Sequence, residues 1–411
     1  MGSRPAIARR GVLQGAAALA AAGAGLLPAL GTAQAQPTEP FAVFLQRMSA
    51  RAMAEGISSA TVQSAFAGLA PSERVMELEG AQPEFTRTFW QYMDNAITDG
   101  RVNEGRARYA QNRALLDRVE AEYGVPGAYL VAFWGLETNF GSYLGDFDVI
   151  QALATLTYND RRADLFGAEL IAALHLIDNG WVRRDQLIGS WAGAIGNCQF
   201  LPTTYRRFAV DFDGDGRRDL YGSLPDVFAS AANYLSEIGW ESGYIWGREA
   251  LLPASFPWEQ ADLTVRKTLA EWQALGVRRI DGGALPIAPI EASVVLPMGH
   301  RGPAFLVYDN FRIIMQWNRS VPYAVAVGHL ADRIEGGGPL RGARPNLGDP
   351  LSRDEIEEMQ RLLNARGFNA GTPDGRIGPN TRGALRGWQR SIGLPADGYP
   401  TRDQITRLRT G

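Results

Sequence analysis

A single carboxylate is the first candidate for chemistry in this chain. Glu137 is the only charged residue in Tyr129-Leu-Val-Ala-Phe-Trp-Gly-Leu-Glu137-Thr-Asn-Phe-Gly141. The segment predicts a helix entered through Val125-Pro126, where a missing N–H costs nothing in the first turn, and stopped near Gly141. It is apolar nearly all round, which predicts a core helix. Phe133 and Trp134 stand four and three residues before Glu137, on its face. Aromatic surface and the negative end of a helix both favour a protonated carboxyl, and a carboxyl so tuned can act as a general acid. The competing reading is a glutamate that turns out into solvent; the apolar surroundings favour the functional one.

A second cluster is Asp211, Asp213, Asp215, Gly216 and Asp219, which fits positions 1, 3, 5, 6 and 9 of an EF-hand loop, with the Arg217 carbonyl at position 7. Position 12 is Gly222, where a bidentate Glu is expected. The alternative is an Asp/Gly turn that holds no metal. A third is the stretch from Ser190 to Tyr205, loop-like and rich in Gly, amide and hydroxyl side chains.

Other chemistries find no footing. Cys198 is the only cysteine, so no intrachain disulfide forms, and no His lies near it in sequence to activate it; a small buried thiol is expected. His175, His300 and His329 are far apart and no His-Glu-x-x-His exists, which argues against a zinc peptidase. There is no phosphate loop, Lys267 is the single lysine, and a net charge of −3 gives no footprint for nucleic acid.

The elements that must position these residues follow from the rest of the chain, whose 411 residues leave room for two or three domains. Arg4, Arg9 and Arg10 precede an Ala/Leu-rich run over 12–30, and Ala33-Gln34-Ala35 fits a cleavage site, so 1–35 reads as an export signal. Arg9-Arg10 resembles a twin-arginine signal; a permanent membrane helix is the alternative, but the run is too rich in Ala and Gly. No Cys follows the signal to carry a lipid. Removing 1–35 strips three Arg and no acid, taking the charge from −3 to −6, and a periplasmic, unanchored product is expected. Helical patterns cover 41–54, 61–69, 86–98, 104–123, 149–157, 165–177, 225–238 and 321–334. Strand texture covers 292–297 and 304–316. The Gly/Pro-rich stretch 336–350 reads as a linker to a small unit with amphipathic helices over 356–366 and 381–392.

Gly135-Leu-Glu137-Thr-Asn-Phe-Gly141 resembles the catalytic segment of the lytic murein transglycosylases of the B family. Ser190-Trp-Ala-Gly-Ala-Ile-Gly-x-x-Gln199-Phe-x-Pro202 is similar to that family's second motif, Asp211-Phe-Asp-Gly-Asp-Gly216 to its calcium loop, and Asn318-x-Ser-x-Pro-Tyr323-Ala-x-Ala-Val327 to its third. Order and spacing agree across 41–334. The C-terminal unit resembles a peptidoglycan-binding domain through Met359-Gln360, Leu362-Leu363, Gly367-Phe368, Asp374-Gly375, Ile377-Gly378-Pro379, Thr381, Ala384-Leu385, Trp388-Gln389 and Gly393-Leu394. The resemblance implies a mainly α chain: a lysozyme-like α+β catalytic region with a small β-containing subdomain over 36–335, the linker, and a small helical domain over 351–411.

What it implies for chemistry concerns one acid. An ordinary glycosidase needs two carboxylates, and Asp146, Asp148 and Asp160 have no comparably apolar setting. By resemblance, Glu137 alone acts as acid and then base on the bond between N-acetylmuramic acid and N-acetylglucosamine, giving a 1,6-anhydro end without water. Ser190, Gln199 and Asn318 would orient the sugar, and Phe200 and Tyr234 would line the groove. Structural roles for four of these are the alternative: loop ties for Ser190 and Gln199, core for Phe200 and Tyr234. The family's longer loop would add Asp226 to Asp211, Asp213, Asp215, Arg217 and Asp219 around a structural Ca²⁺; catalysis would need no cofactor. Partners would be peptidoglycan glycan strands and cell-wall synthases, with no nucleic acid and no membrane segment after processing. A hydrolytic muramidase and a non-catalytic wall-binding protein are the alternatives.

Overall fold

The computed structural model describes residues 39–80, 87–159 and 162–410. The export signal expected over 1–35, the first residue of the helix expected over 86–98, and Asp160 lie outside the described residues.

The Gly127–Thr138 helix is the axis of the molecule: every residue from Gly127 to Gly135 is buried. Helices Asp99–Gln111, Arg113–Tyr123, Leu224–Glu237 and Val321–Ile334 pack around it. Asn139 caps it in the left-handed region and the chain doubles back. Gly135 makes that reversal fit, since a Cβ there would come within 2.7 Å of the Phe140 ring. The helices Val149–Asn159 and Ala163–Asp178 form the neighbouring layer, and Pro202–Phe208 lies on the second of them.

Two short strands, β1 (Phe147–Asp148) and β2 (Ile188–Gly189), pair antiparallel with Phe147 opposite Gly189. They tie the chain after the axial helix to the loop that begins at Ser190. Bridges from Ile195 to Gly189 and to Phe200 fold that loop into a compact unit.

The remaining strands are β3 (Gly247–Leu251), β4 (Lys267–Thr268), β5 (Arg278–Arg279), β6 (Glu291–Val295) and β7 (Ala304–Val307). They form an antiparallel sheet in the order β4-β6-β7-β3-β5, with Val294 and Arg248 both opposite Leu306. Alternation along β7 sends Phe305 and Val307 into the main core and Leu306 into a second core with Val294, Phe256 and Trp272. Both faces of the sheet are therefore covered.

Three differences from the sequence reading have physical causes. The strand expected over 304–316 ends at Val307, and Asp309–Trp317 is a helix. Phe311, Ile313, Ile314 and Trp317 are buried at helical spacing, and buried Asn310 anchors the turn by bonding Glu241 and Tyr244. The charged helix expected over 104–123 breaks at Asn112, whose side chain turns back to the Arg108 carbonyl, giving Asp99–Gln111 and Arg113–Tyr123. The strands β3, β4 and β5, two to five residues each, carried no usable pattern.

The C-terminal unit has three helices, Arg353–Ala365, Pro379–Ser391 and Arg402–Thr410, around Met359, Leu363, Leu385, Trp388 and Leu408. The third was hidden by its charge; only Ile405 and Leu408 mark its inner face. The 336–350 segment holds no helix or strand and lies along the surface. Trp90 donates to the Ala343 carbonyl at 3.0 Å, Arg344 sits over the Trp90 ring, and Glu249 accepts from the N–H groups of Arg341 and Gly342. The unit meets the sheet region through Arg386–Asp262 at 2.8 Å and His300–Asp397 at 2.6 Å.

Candidate active site

Glu137 sits in the last turn of the axial helix and is half-buried. The Tyr323 hydroxyl donates to its Oε1, and the Trp317 indole is a second donor. Burial pushes the carboxyl from 4.5 up to about 7, and the two donors pull against that rise without overcoming it. The same burial, with the carboxylate beside it, pushes the Tyr323 phenol well up, so Tyr323 stays a donor. Tyr92, from the helix Phe89–Ala96, is raised by its own burial and also feels Glu137.

The aromatic wall comes from a distant helix. Trp317 stacks on Phe133 with ring centroids 4.3 Å apart, and Phe200 and Tyr234 pack against Trp317 at 5.1 and 5.4 Å. Phe133 thus backs the wall from the predicted helix face. Trp134 instead donates to Asn197 at 2.8 Å and packs edge-on to Phe228.

Strain gathers at the same place. Among the described residues, the non-glycine residues with left-handed φ are Asn139 (49°), Phe140 (58°) and Gln199 (48°). Such conformations cost free energy and persist where the surroundings over-determine them, which marks functional sites. Here the Phe140 N–H bonds the Trp134 carbonyl, and Thr138 bonds both Trp134 and Asn197.

The structure places the polar site residues in loops and caps. The Ser190 hydroxyl accepts from the Ala194 N–H at 2.9 Å, and the Gln199 amide donates to the carbonyls of Leu144 and Gly196. Asn318 caps the helix that carries Trp317 and accepts from the Ser320 N–H at 3.1 Å. The Tyr234 hydroxyl faces the Gln316 carbonyl. Glu137, Phe200 and Tyr234 are brought together through Trp317, with Asn318 one residue beyond. Cys198 is buried, and its thiol is pushed up by burial and by the nearby Glu137. Sequence reasoning assigned no role to Trp317, Tyr323 or Tyr92. Tyr323 stood inside a quoted motif, and Trp317 directly precedes Asn318, but neither position shows without the fold that it faces Glu137.

Other carboxylates are engaged elsewhere. Asp148 accepts from the Gln151 N–H and pairs with Arg184 at 2.7 Å; Asp146 bonds Tyr143. No second acid among the described residues contributes to the shift of Glu137.

In the acidic loop, Asp211, Asp213 and Asp226 bring carboxylate oxygens within 4.8 Å of one another. Asp226 is fully buried, accepts from the N–H groups of Phe212 and Asp219 at 2.8 Å each, and is raised by burial and by Asp213. Asp211 gathers three backbone N–H groups. Asp215 and Asp219 turn instead to N–H groups of Arg217, Tyr221 and Gly222. Three convergent oxygens, one from a buried carboxylate with no cationic side chain bonded to it, suit a hard cation such as Ca²⁺.

A mainly helical chain that sets a half-buried acid of raised pKa against an aromatic wall fits the class of enzymes that cleave glycan. Residues 40–332 match the family described as Transglycosylase SLT domain, and residues 352–408 match the peptidoglycan binding domain family. The chain belongs to the first of these families, and its C-terminal unit to the second. It is 49% identical to SltB3 from Pseudomonas aeruginosa, crystallised with NAG-anhNAM-pentapeptide, with a TM-score of 0.88 over 90% of this chain and 99% of that one. It is 28% identical to Slt35 from Escherichia coli in complex with calcium, TM-score 0.61, over 71% of this chain and 92% of that one. Membrane-bound lytic murein transglycosylase B of Escherichia coli (strain K12) is 32% identical over 256 residues, 59% of this chain and 66% of that relative. The mainly helical, lysozyme-like fold is the one these relatives share. No helix among the described residues is long and apolar enough to cross a membrane.

Proposed function

We propose that this lytic transglycosylase cleaves the β-1,4 bond between N-acetylmuramic acid and N-acetylglucosamine in peptidoglycan without water. The observation that carries the reading is the Glu137 carboxyl, held at about 7 with neutral donors and no acidic partner. An acid near neutrality can give a proton and take one back in the same turnover. Glu137 protonates the bridging oxygen as the C1–O bond breaks, and the muramoyl N-acetyl carbonyl supports C1. The ionised Glu137 then takes the proton from O6, which closes on C1. One bond breaks, one forms, and the product ends in a 1,6-anhydro ring. Among the described residues no second acid couples to Glu137, which supports this over a two-carboxylate hydrolase.

In this reading Ser190, Gln199 and Asn318 hold the loops and caps that shape the groove and orient the sugar, while Phe200 and Tyr234 wall it. The SltB3 ligand carries a pentapeptide, which points to peptide-bearing glycan as the substrate. Asp211, Asp213 and Asp226 would hold Ca²⁺, with Asp215, Asp219 and the Arg217 carbonyl as further oxygen donors; the ion would stiffen the loop beside the Leu224–Glu237 helix. The 1–35 leader would deliver the protein to the periplasm, and the C-terminal unit would hold it on the wall and near the synthases. Mass spectrometry of muropeptides released from purified sacculi tests the reaction. Anhydromuramoyl ends are expected; reducing ends would make the enzyme a muramidase.

A further inference from the structure

A separate cavity of about 440 Å³ opens between the helices Phe41–Ala54, Ala163–Asp178 and Pro202–Phe208. Its floor is small and apolar, built from Ala168, Ile171 and Ala172. Its lining also includes Arg51, Arg206 and Arg207 against one carboxylate, Glu55, with the Arg207 guanidinium over the Phe208 ring. Glu55 pairs with Arg51 at 3.1 Å, and among the described residues neither Arg206 nor Arg207 forms an ion pair. Buried Glu169 lies behind Thr203 and already accepts from its N–H at 2.9 Å and its hydroxyl at 2.7 Å. The site is cationic, with a floor sized for methyl groups.

Its position relates it to the groove. Phe208, on the same short helix, packs edge-on to Tyr234 at 5.0 Å, and Tyr234 touches Trp317 beside Glu137. A helix is about 10–12 Å across, and five extended residues span about 17 Å. A peptide that starts on a sugar beside Tyr234 has only the Pro202–Phe208 helix to cross to place a carboxylate among the arginines. Planar guanidinium groups match carboxylates bidentately, and alanine-sized side chains fit the floor.

We propose that this cleft is a docking site for a carboxylate of the peptide borne by the wall glycan. The proposal rests on the peptidoglycan reading above, and its test is a binding measurement that does not need turnover. Full-length Glu137→Gln protein is titrated by calorimetry with a muramoyl tetrasaccharide carrying pentapeptides and with the same glycan stripped of peptide. The stripped ligand is expected to bind about tenfold more weakly, the worth of one charge-assisted contact. Adding Arg51→Gln and Arg206→Gln should bring that ratio to about one, with each single change falling between, and an unchanged melting curve confirms the fold. Saturating inorganic phosphate should erase the same gap by competing for the arginines. A ratio that survives both arginine changes, or a ratio of one in the parent protein, overturns the proposal. If sacculi yield reducing ends while the gap behaves as expected, the reaction is wrong and the cleft stands.

Discussion

Glu137 and Asp226 are both acidic side chains withdrawn from water, and the protein treats them oppositely. Glu137 is surrounded by aromatic rings and given side-chain donors, Tyr323 and Trp317, and among the described residues no acid couples to it. Asp226 is given backbone N–H groups and is crowded by Asp211 and Asp213. Burial raises both. An isolated buried carboxyl relieves its desolvation by holding a proton, whereas like charges gathered on backbone donors relieve theirs most fully by sharing a cation. Asp262 shows a third arrangement: burial acts to raise it, yet the N–H and hydroxyl of Thr264 and the Arg386 guanidinium hold it below its ordinary value. What surrounds a withdrawn acid decides whether it is suited to holding a proton, gathering a cation or forming one half of an ion pair.

The largest expected effect concerns the stability cost of Glu137. Its folded value of about 7 lies above the ordinary 4.5, so the folded state binds the proton more tightly. Stability is full below 4.5 and is lost as pH rises through about 7, by up to about 3 kcal/mol. Glu137→Gln has nothing to ionise. Denaturant melts should therefore show the variant gaining on wild type between pH 5 and 8 and matching it in acid. A constant difference across that range would mean that the carboxyl is not shifted.

Calcium tests the other half of the comparison. Ca²⁺ at a hundredfold excess over its Kd should stabilise the protein by about 2.7 kcal/mol, and Asp226→Asn should abolish the gain. Equal melting temperatures in chelator and in millimolar Ca²⁺ would leave the loop an acidic turn.

Tyr323→Phe gives a smaller effect with a definite sign. The hydroxyl lowers the Glu137 value, so its removal should lift that value above about 7 and move the alkaline limb of the kcat/KM profile to higher pH. The rate should also fall, by roughly tenfold. An unshifted limb would remove Tyr323 from the account. The smallest effect belongs to Arg386→Ala. Losing its contacts to Asp262 and the Ala261 carbonyl should cost about 1 kcal/mol and expose the 336–350 segment to limited proteolysis. Unchanged cleavage there would mean that other contacts hold the C-terminal unit.

The axial helix and its acid were legible because an apolar run with one charge admits few readings, and the residues before Glu137 fixed its face. The wall that tunes the acid was not, since Trp317 lies far away in sequence and its β-branched neighbours Ile313 and Ile314 mimic a strand. Only burial at helical spacing, together with the Asn310 anchor, makes Asp309–Trp317 a helix. The turn at Asn139 and Phe140 was equally hidden: Asn often ends a helix with left-handed φ, but Phe seldom follows it there, and contacts such as Thr138 to Asn197 hold the reversal. Asp226 could be joined to the acidic loop only through the family resemblance, since it falls outside the twelve-residue pattern.

The central claim is that one carboxyl moves both protons. Its most direct test is the rate of 1,6-anhydro product release from sacculi by Glu137→Gln, with a melting curve as the control for fold. Loss of acid–base work is typically about 10²–10⁴-fold, and a residue that serves in both transfers should reach the upper end. A folded Gln variant that releases anhydro ends at a rate near wild type would place the catalytic acid elsewhere and contradict the account.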